Sequence, residues 1–228
     1  DKQKSYTLNT QVTPEPGVEY FLNVYARLKN DWNMVKAGTV LAKAQWKLPY
    51  TKSLPETDLT ALNEVTVDED EEQITVSGTD FSLKFNKQKG ILSGYQFKGK
   101  EMLQKGMTPN FWRPPNDNDF GNGMPKRAQV WRKAGERRTV KEVEVRQPAL
   151  QQAVVEIAIA LDDKDENAIA NYNSTYTVYG NGQVKVANAF EMVQEELPEI
   201  PRLGMRLQRP ATYNQVSWLG RGPHASYW

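Results

Sequence analysis

Asp117 and Asp119 stand two residues apart in the run Asn116-Asp117-Asn118-Asp119, and paired carboxylates can donate and accept a proton across one bond. Acid/base cleavage of a glycosidic bond needs two such groups about 5–10 Å apart. Carboxylates this close in sequence more often cap turns through the local backbone or hold a cation. An EF-hand loop starting at Asp117 would need glycine and glutamate where Asn122 and Ala128 stand, so that frame fails. No catalytic residue and no metal ligand is assigned.

The same run lies in a segment built for order. Phe111, Trp112 and Arg113 lead into Pro114 and Pro115, and Gly121-Asn122-Gly123 releases the chain. The prolines fix φ and remove two backbone donors, so neither a helix nor a central strand can run through them. A rigid approach, a dense polar tip and a glycine exit describe an ordered functional loop; the alternative is an Asx-turn loop packed on its own scaffold. The candidate rim or substrate-contacting residues are Arg113, Asn116, Asp117, Asn118, Asp119, Phe120, Gly121, Asn122 and Gly123. Arg113 is expected to lock the first part by charge-assisted hydrogen bonds. Residues 121–125 are expected to be loose, with Phe120 as a hydrophobic latch between the two parts.

A second cluster, Trp218-Leu219-Gly220-Arg221-Gly222-Pro223-His224-Ala225-Ser226-Tyr227, adds Trp218 and His224 as candidates. Glycines beside Arg221 permit a tight bend, in which a lone histidine is more often structural than ligand-contacting. The acidic runs at 68–72, 162–166 and 195–196 read as solvated tips and loops. Asn173-Ser174-Thr175 is a glycosylation sequon of consequence only in a eukaryotic secretory setting.

Composition removes whole classes of chemistry. With 0 cysteines there is no disulfide, thiolate nucleophile or cysteine zinc site, and 1 histidine cannot build a multi-histidine metal centre. Lys+Arg 29 against Asp+Glu 28 leaves a net charge of +1, so no global field recruits nucleic acid or an anionic membrane. No apolar run approaches the ~18 residues of a membrane-spanning helix. The chain opens on Asp1 rather than Met and reads as a piece of a longer protein, whose compartment, periplasm or cytoplasm, stays open.

The elements that must position these clusters are strands. Residues 19–29 and 39–48 alternate apolar and polar, as half-buried antiparallel strands do, and residues 6–12 form a weaker strand. Three strands are too few to close a core, so residues 1–50 read as the end of an immunoglobulin-like domain. Their uncovered apolar faces predict association of copies. Residues 51–63 read as a linker, placing a second domain over residues 64–228. There a meander of short strands covers 65–103, and residues 127–134 form a short helix with Val130 and Trp131 inward. Strands follow at 140–145, 153–161 and 172–179, with a hairpin at Gly180-Asn181-Gly182 into 184–192. Shorter alternating sets lie at 203–207 and 216–219. The fold class is all-β.

Both clusters carry a family resemblance. Phe111-Trp112-Arg113-Pro114-Pro115-Asn116-Asp117-Asn118-Asp119 resembles the Arg-Ala-Pro-x-Asp-Asn-Asp signature of large bacterial β-galactosidases of glycoside hydrolase family 2, with Pro114 where alanine is usual. Residues 218–227 resemble that family's Trp-x-Gly-x-Gly-Pro-x-Glu-x-Tyr segment, with Ala225 in place of glutamate. Residues 81–103 resemble its strand pattern before the signature, and residues 32–45 the end of its immunoglobulin-like domain. The resemblance implies a galactose-mutarotase-like β-supersandwich preceded by part of an immunoglobulin-like sandwich. It implies catalytic glutamates on a (β/α)8 barrel outside these residues, with Mg and Na ions bound mainly elsewhere. It implies a mobile rim loop at residues 120–126. The reading is a non-catalytic C-terminal portion of a β-galactosidase, with a galactoside and the remaining domains as partners. The alternatives are an independent carbohydrate-binding module and, poorly served by a lone histidine, a mutarotase-like epimerase.

Overall fold

The computed structural model describes Ser5, Thr7 and residues 11–217. The chain divides into two compact units, Asp1–Thr57 and Asp58–Trp228.

In the first unit, β1 (Phe21–Arg27) and β2 (Val40–Lys47) pair antiparallel, with Leu22 opposite Trp46 and Val24 opposite Ala44. Every residue of β2 is exposed and only Leu22 of β1 is partly covered, so the apolar side chains of this hairpin lie open, as the sequence predicts. Two strands without a facing layer cannot bury either side. Of the strand expected over 6–12, residues 7, 11 and 12 carry no strand and the rest lies outside the described residues. Residues 49–63 hold one 3-10 turn, Leu59–Ala61, started by the Asp58 carboxylate accepting from the Thr60 N–H at 3.0 Å.

The second unit opens with β3 (Thr66–Glu69), β4 (Gln73–Ser77), β5 (Phe81–Asn86), β6 (Ile91–Phe97) and β7 (Lys100–Glu101), an antiparallel meander in chain order. The acidic run between β3 and β4 is a hairpin tip, where Asp70 accepts from the Glu72 and Gln73 N–H groups at 2.7 Å each. After β8 (Lys105–Asn110) the chain makes two short helices, α1 (Asp117–Gly121) and α2 (Met124–Arg127), and a 3-10 turn over Gln129–Arg132. Next come β9 (Arg138–Ala149), β10 (Gln152–Asp162), β11 (Ala168–Tyr179) and β12 (Val184–Met192), a four-stranded antiparallel sheet in spatial order β12-β11-β10-β9. Finally β13 (Gly204–Gln208) returns to pair with β8.

The five-stranded and four-stranded sheets share one hydrophobic core. Ile74, Val76, Leu83 and Phe85 meet Val155, Leu161, Tyr176 and Val178, and the Phe85 and Tyr176 rings cross edge-on with centroids 5.2 Å apart. Each such side chain contributes about 1.5–3 kcal/mol on full burial. The fold is all-β.

Three elements of the second unit differ from expectation. Strand β8 has no alternating signal, because Gly106 and Pro109 interrupt it. Glycine is required there by close packing, since a Cβ on Gly106 would lie 2.3 Å from the Leu92 carbonyl oxygen. The helix expected over 127–134 instead starts at Met124 and breaks at Ala128 (φ −91°, ψ 14°), leaving a separate 3-10 turn. A proline in the first turn favours that earlier start. Val216 and Ser217 carry no strand, and the rest of the set at 216–219 lies outside the described residues.

Candidate functional site

The segment from Arg113 onward is rooted in an aromatic cluster. Phe111 is 1% exposed, with ring centroids 5.5 Å from Phe190 and 6.0 Å from both Trp131 and Tyr172. Trp131 is fully buried and donates its indole N–H to the Pro198 carbonyl at 2.8 Å. The turn after Trp131 presses on β8, where a Cβ on Gly135 would sit 1.9 Å from the Pro109 oxygen. The Asn110 side-chain amide donates to the Trp112 carbonyl at 3.0 Å. The chain therefore leaves β8 on a fixed base before it reaches the prolines.

Beyond the prolines the polar run starts a helix. Asn116 is the N-cap of α1: its side-chain oxygen accepts from the Asp119 N–H at 3.0 Å, and Asp119 accepts in return from the Asn116 N–H at 2.8 Å. This reciprocal capping satisfies two helix-terminal donors. Arg113 donates to both oxygens of the same carboxylate, its second contact measuring 2.8 Å. Asp119 is buried, and the Arg113 guanidinium, then the Asn116 N–H, hold its carboxyl below the usual carboxylate range. A carboxylate held ionised and fully hydrogen-bonded is a poor general acid and offers no free oxygen to a cation. Among the described residues, no group of three or more His, Cys, Asp or Glu is placed to hold a metal ion.

Asp117, Asn118, Phe120 and Gly121 are exposed on α1, and so are Asn122 and Gly123 after it. Phe120, 65% exposed, is not a latch. Successive helical residues point about 100° apart, so with Asp119 turned inward its neighbour faces out. The buried anchor is Met124, 3% exposed in the core, reached because Gly123 adopts the left-handed region at φ 73°. Arg127 adds a second tether. Its guanidinium donates to the Asn122 carbonyl at 2.5 Å and to the Glu199 carboxylate, with Nε 3.1 and 3.2 Å from the two oxygens. Neither Met124 nor Glu199 was among the candidates. Glu199 lies 72 residues from Arg127, and no local pattern joins them.

The structure thus brings Arg113, Asn116 and Asp119 into one bonded unit and leaves residues 117–118 and 120–123 on its solvent side. Trp218 and His224 lie outside the described residues.

The comparisons agree with this architecture. Residues 77–228 match the β-galactosidase small chain family, and residues 1–49 match domain 4 of β-galactosidase. The chain belongs to the β-galactosidase small chain family. It is 37% identical to a β-galactosidase of Priestia megaterium over 92% of this chain and 20% of that one. It is also 30% identical to a β-galactosidase of Vibrio cholerae, over 93% of this chain and 21% of that one. The chain spans about a fifth of the length of these curated relatives.

Proposed function

We propose that this chain serves a β-galactosidase as a part without catalytic groups of its own, and that residues 113–123 help form the rim of its galactoside site. The observation that carries this reading is the fate of Asp119. The one buried carboxylate of the candidate loop has both oxygens engaged by Arg113 and Asn116, so the loop is built to hold a shape rather than to transfer a proton. A fixed base with solvent-facing polar groups and glycines beyond it suits the positioning of a substrate and the exclusion of water. The glycosidic chemistry and any Mg or Na ions belong, in this proposal, to the remaining domains of the parent enzyme.

The test uses a chromogenic β-galactoside and the purified 228-residue chain. No turnover above buffer is expected. Activity that survives repurification and disappears in Asp117→Ala or Asp119→Ala would overturn the accessory role. In a full-length enzyme containing this chain, Asn118→Ala and Asn122→Ala should change KM or kcat for a galactoside without unfolding the protein; unchanged kinetics for both would remove the rim assignment.

A further inference from the structure

β8, β13 and the turn after Trp131 line a cleft of about 590 Å³, with Trp112, Pro114 and Pro115 in its wall. Four cations line it, Arg132, Lys133, Arg202 and Arg206, against a single acid, Glu136. Among the described residues none of these four has an ion-pair partner, whereas Lys87, Arg113 and Arg127 in the same unit are each paired. The excess is therefore local, in a chain whose net charge is only +1. A concave wall of one sign concentrates counter-charge, and guanidinium pairs suit planar or tetrahedral oxyanions.

The cleft is not a bare electrostatic patch. Trp112, Pro114 and Pro115 form an apolar wall, and the Arg132 guanidinium lies over the Trp112 ring at 5.8 Å, which holds that cation in place. The Thr108 hydroxyl and the Glu136 carboxylate add groups that pair with hydroxyls. The volume falls within the ~300–1,000 Å³ range of small-ligand sites. An aromatic and proline wall, hydroxyl-pairing groups and unpaired guanidinium groups together match one ligand chemistry. We propose that this cleft binds a sugar carrying an anionic substituent, a sulfate ester or a uronic acid carboxylate. Glu136 disfavours a continuous polyanion such as nucleic acid, whose charges would have to pass it.

The experiment titrates the purified chain, following tryptophan fluorescence and calorimetric heat, with sulfated galactobiose, digalacturonic acid, plain galactobiose, inorganic sulfate and an oligoglutamate peptide. At least one anionic disaccharide should bind about tenfold or more tighter than galactobiose, the size of one charge-assisted hydrogen bond. That preference should vanish in the Arg202→Gln/Arg206→Gln double variant and survive in Lys164→Gln, a control outside the cleft. The proposal is overturned if plain galactobiose binds equally well or if neither anionic disaccharide binds. It is equally overturned if inorganic sulfate or oligoglutamate matches the disaccharides, which would make the cleft a simple oxyanion or acidic-peptide site. Binding is read on the chain itself, so failure here leaves the proposed role at a galactoside site standing.

Discussion

The Arg113 guanidinium grips both oxygens of the Asp119 carboxylate, which is the same carboxylate that caps the first turn of α1. One side chain thus joins the proline-stiffened approach to the helix start. Its ionisation state sets whether the two stay joined.

The pH dependence follows from the lowered Asp119 pKa. A carboxyl depressed on folding stabilises fully above the unfolded-state value, about 3.9 for aspartate, and loses that stabilisation as pH falls through its own lower folded value. Asp119→Asn should melt below wild type at pH 7, with the gap closing once acid has protonated Asp119 in the wild type. Thermal melts of both proteins between neutral and strongly acidic pH check this. A gap that is constant with pH would show that the ion pair contributes nothing.

The cap itself is separable from the ion pair. Asn116→Ala removes the acceptor for the Asp119 N–H and should cost about 1 kcal/mol, a fall of roughly 2–4 °C in Tm for a domain of this size. Asn116→Ser should recover most of the loss, because serine caps nearly as well. If serine is no better than alanine, the capping geometry is not what the position supplies.

Much of this architecture is legible in the residues, and the failures have physical causes. The alternation in β5 and β11 reports burial directly because each packs one face on the shared core, whereas β10 also buries Val154 and Ala160 on its other face. In β1 and β2 the same alternation marks the strands, and their side chains stay exposed, as the uncovered faces predict. The role of Arg113 follows from charge and spacing, since its partner is six residues away. The inward turn of Met124 depends on a left-handed Gly123, and the Arg127–Glu199 contact depends on tertiary return of the chain, so neither leaves a local trace.

Three glycines near the site should respond differently to alanine. Gly135→Ala drives a Cβ into the Pro109 backbone at 1.9 Å, where no flexible side chain can yield, and should cost about 1–3 kcal/mol or more. Gly123→Ala meets nothing within 4 Å but carries φ 73°, so it should lose about 1–2 kcal/mol to backbone strain alone. Gly121→Ala meets neither obstacle and should be near neutral. Chemical denaturation ranks the three; a Gly121→Ala loss equal to that of Gly135→Ala would contradict the geometry.

The first unit carries its own expectation. Val24, Tyr25, Leu41 and Trp46 are 46%, 51%, 61% and 53% exposed on a hairpin whose outer edges pair with no further strand among the described residues. We propose that such a surface self-associates in the isolated chain. Light scattering should report dimers or larger species, and Trp46→Ser with Leu41→Ser should shift them toward monomer. A clean monomer at high concentration would remove this expectation.

The last prediction concerns what holds the outer loop. Two tethers fix residues 122–127, the buried Met124 side chain and the exposed Arg127–Glu199 contact. Exposed ion pairs contribute about 0.2–1 kcal/mol, whereas truncating a buried methionine to alanine costs about 2–5 kcal/mol. Opening of the loop should therefore be governed by Met124. The amides of Arg127 and Ala128 donate to the Gly123 and Met124 carbonyls at 3.0 and 2.8 Å, so their hydrogen exchange reads that opening. Glu199→Gln should speed their exchange by about fivefold at most, the factor corresponding to the upper ion-pair value. High salt should mimic the substitution in the wild type and have no further effect on the variant. Met124→Ala should speed the same amides by far more, while the Asp119 amide, held by Asn116, should slow or quicken little in either variant. If Glu199→Gln releases the Arg127 and Ala128 amides as strongly as Met124→Ala does, the loop is held by charge, and the assignment of Met124 as its anchor is wrong.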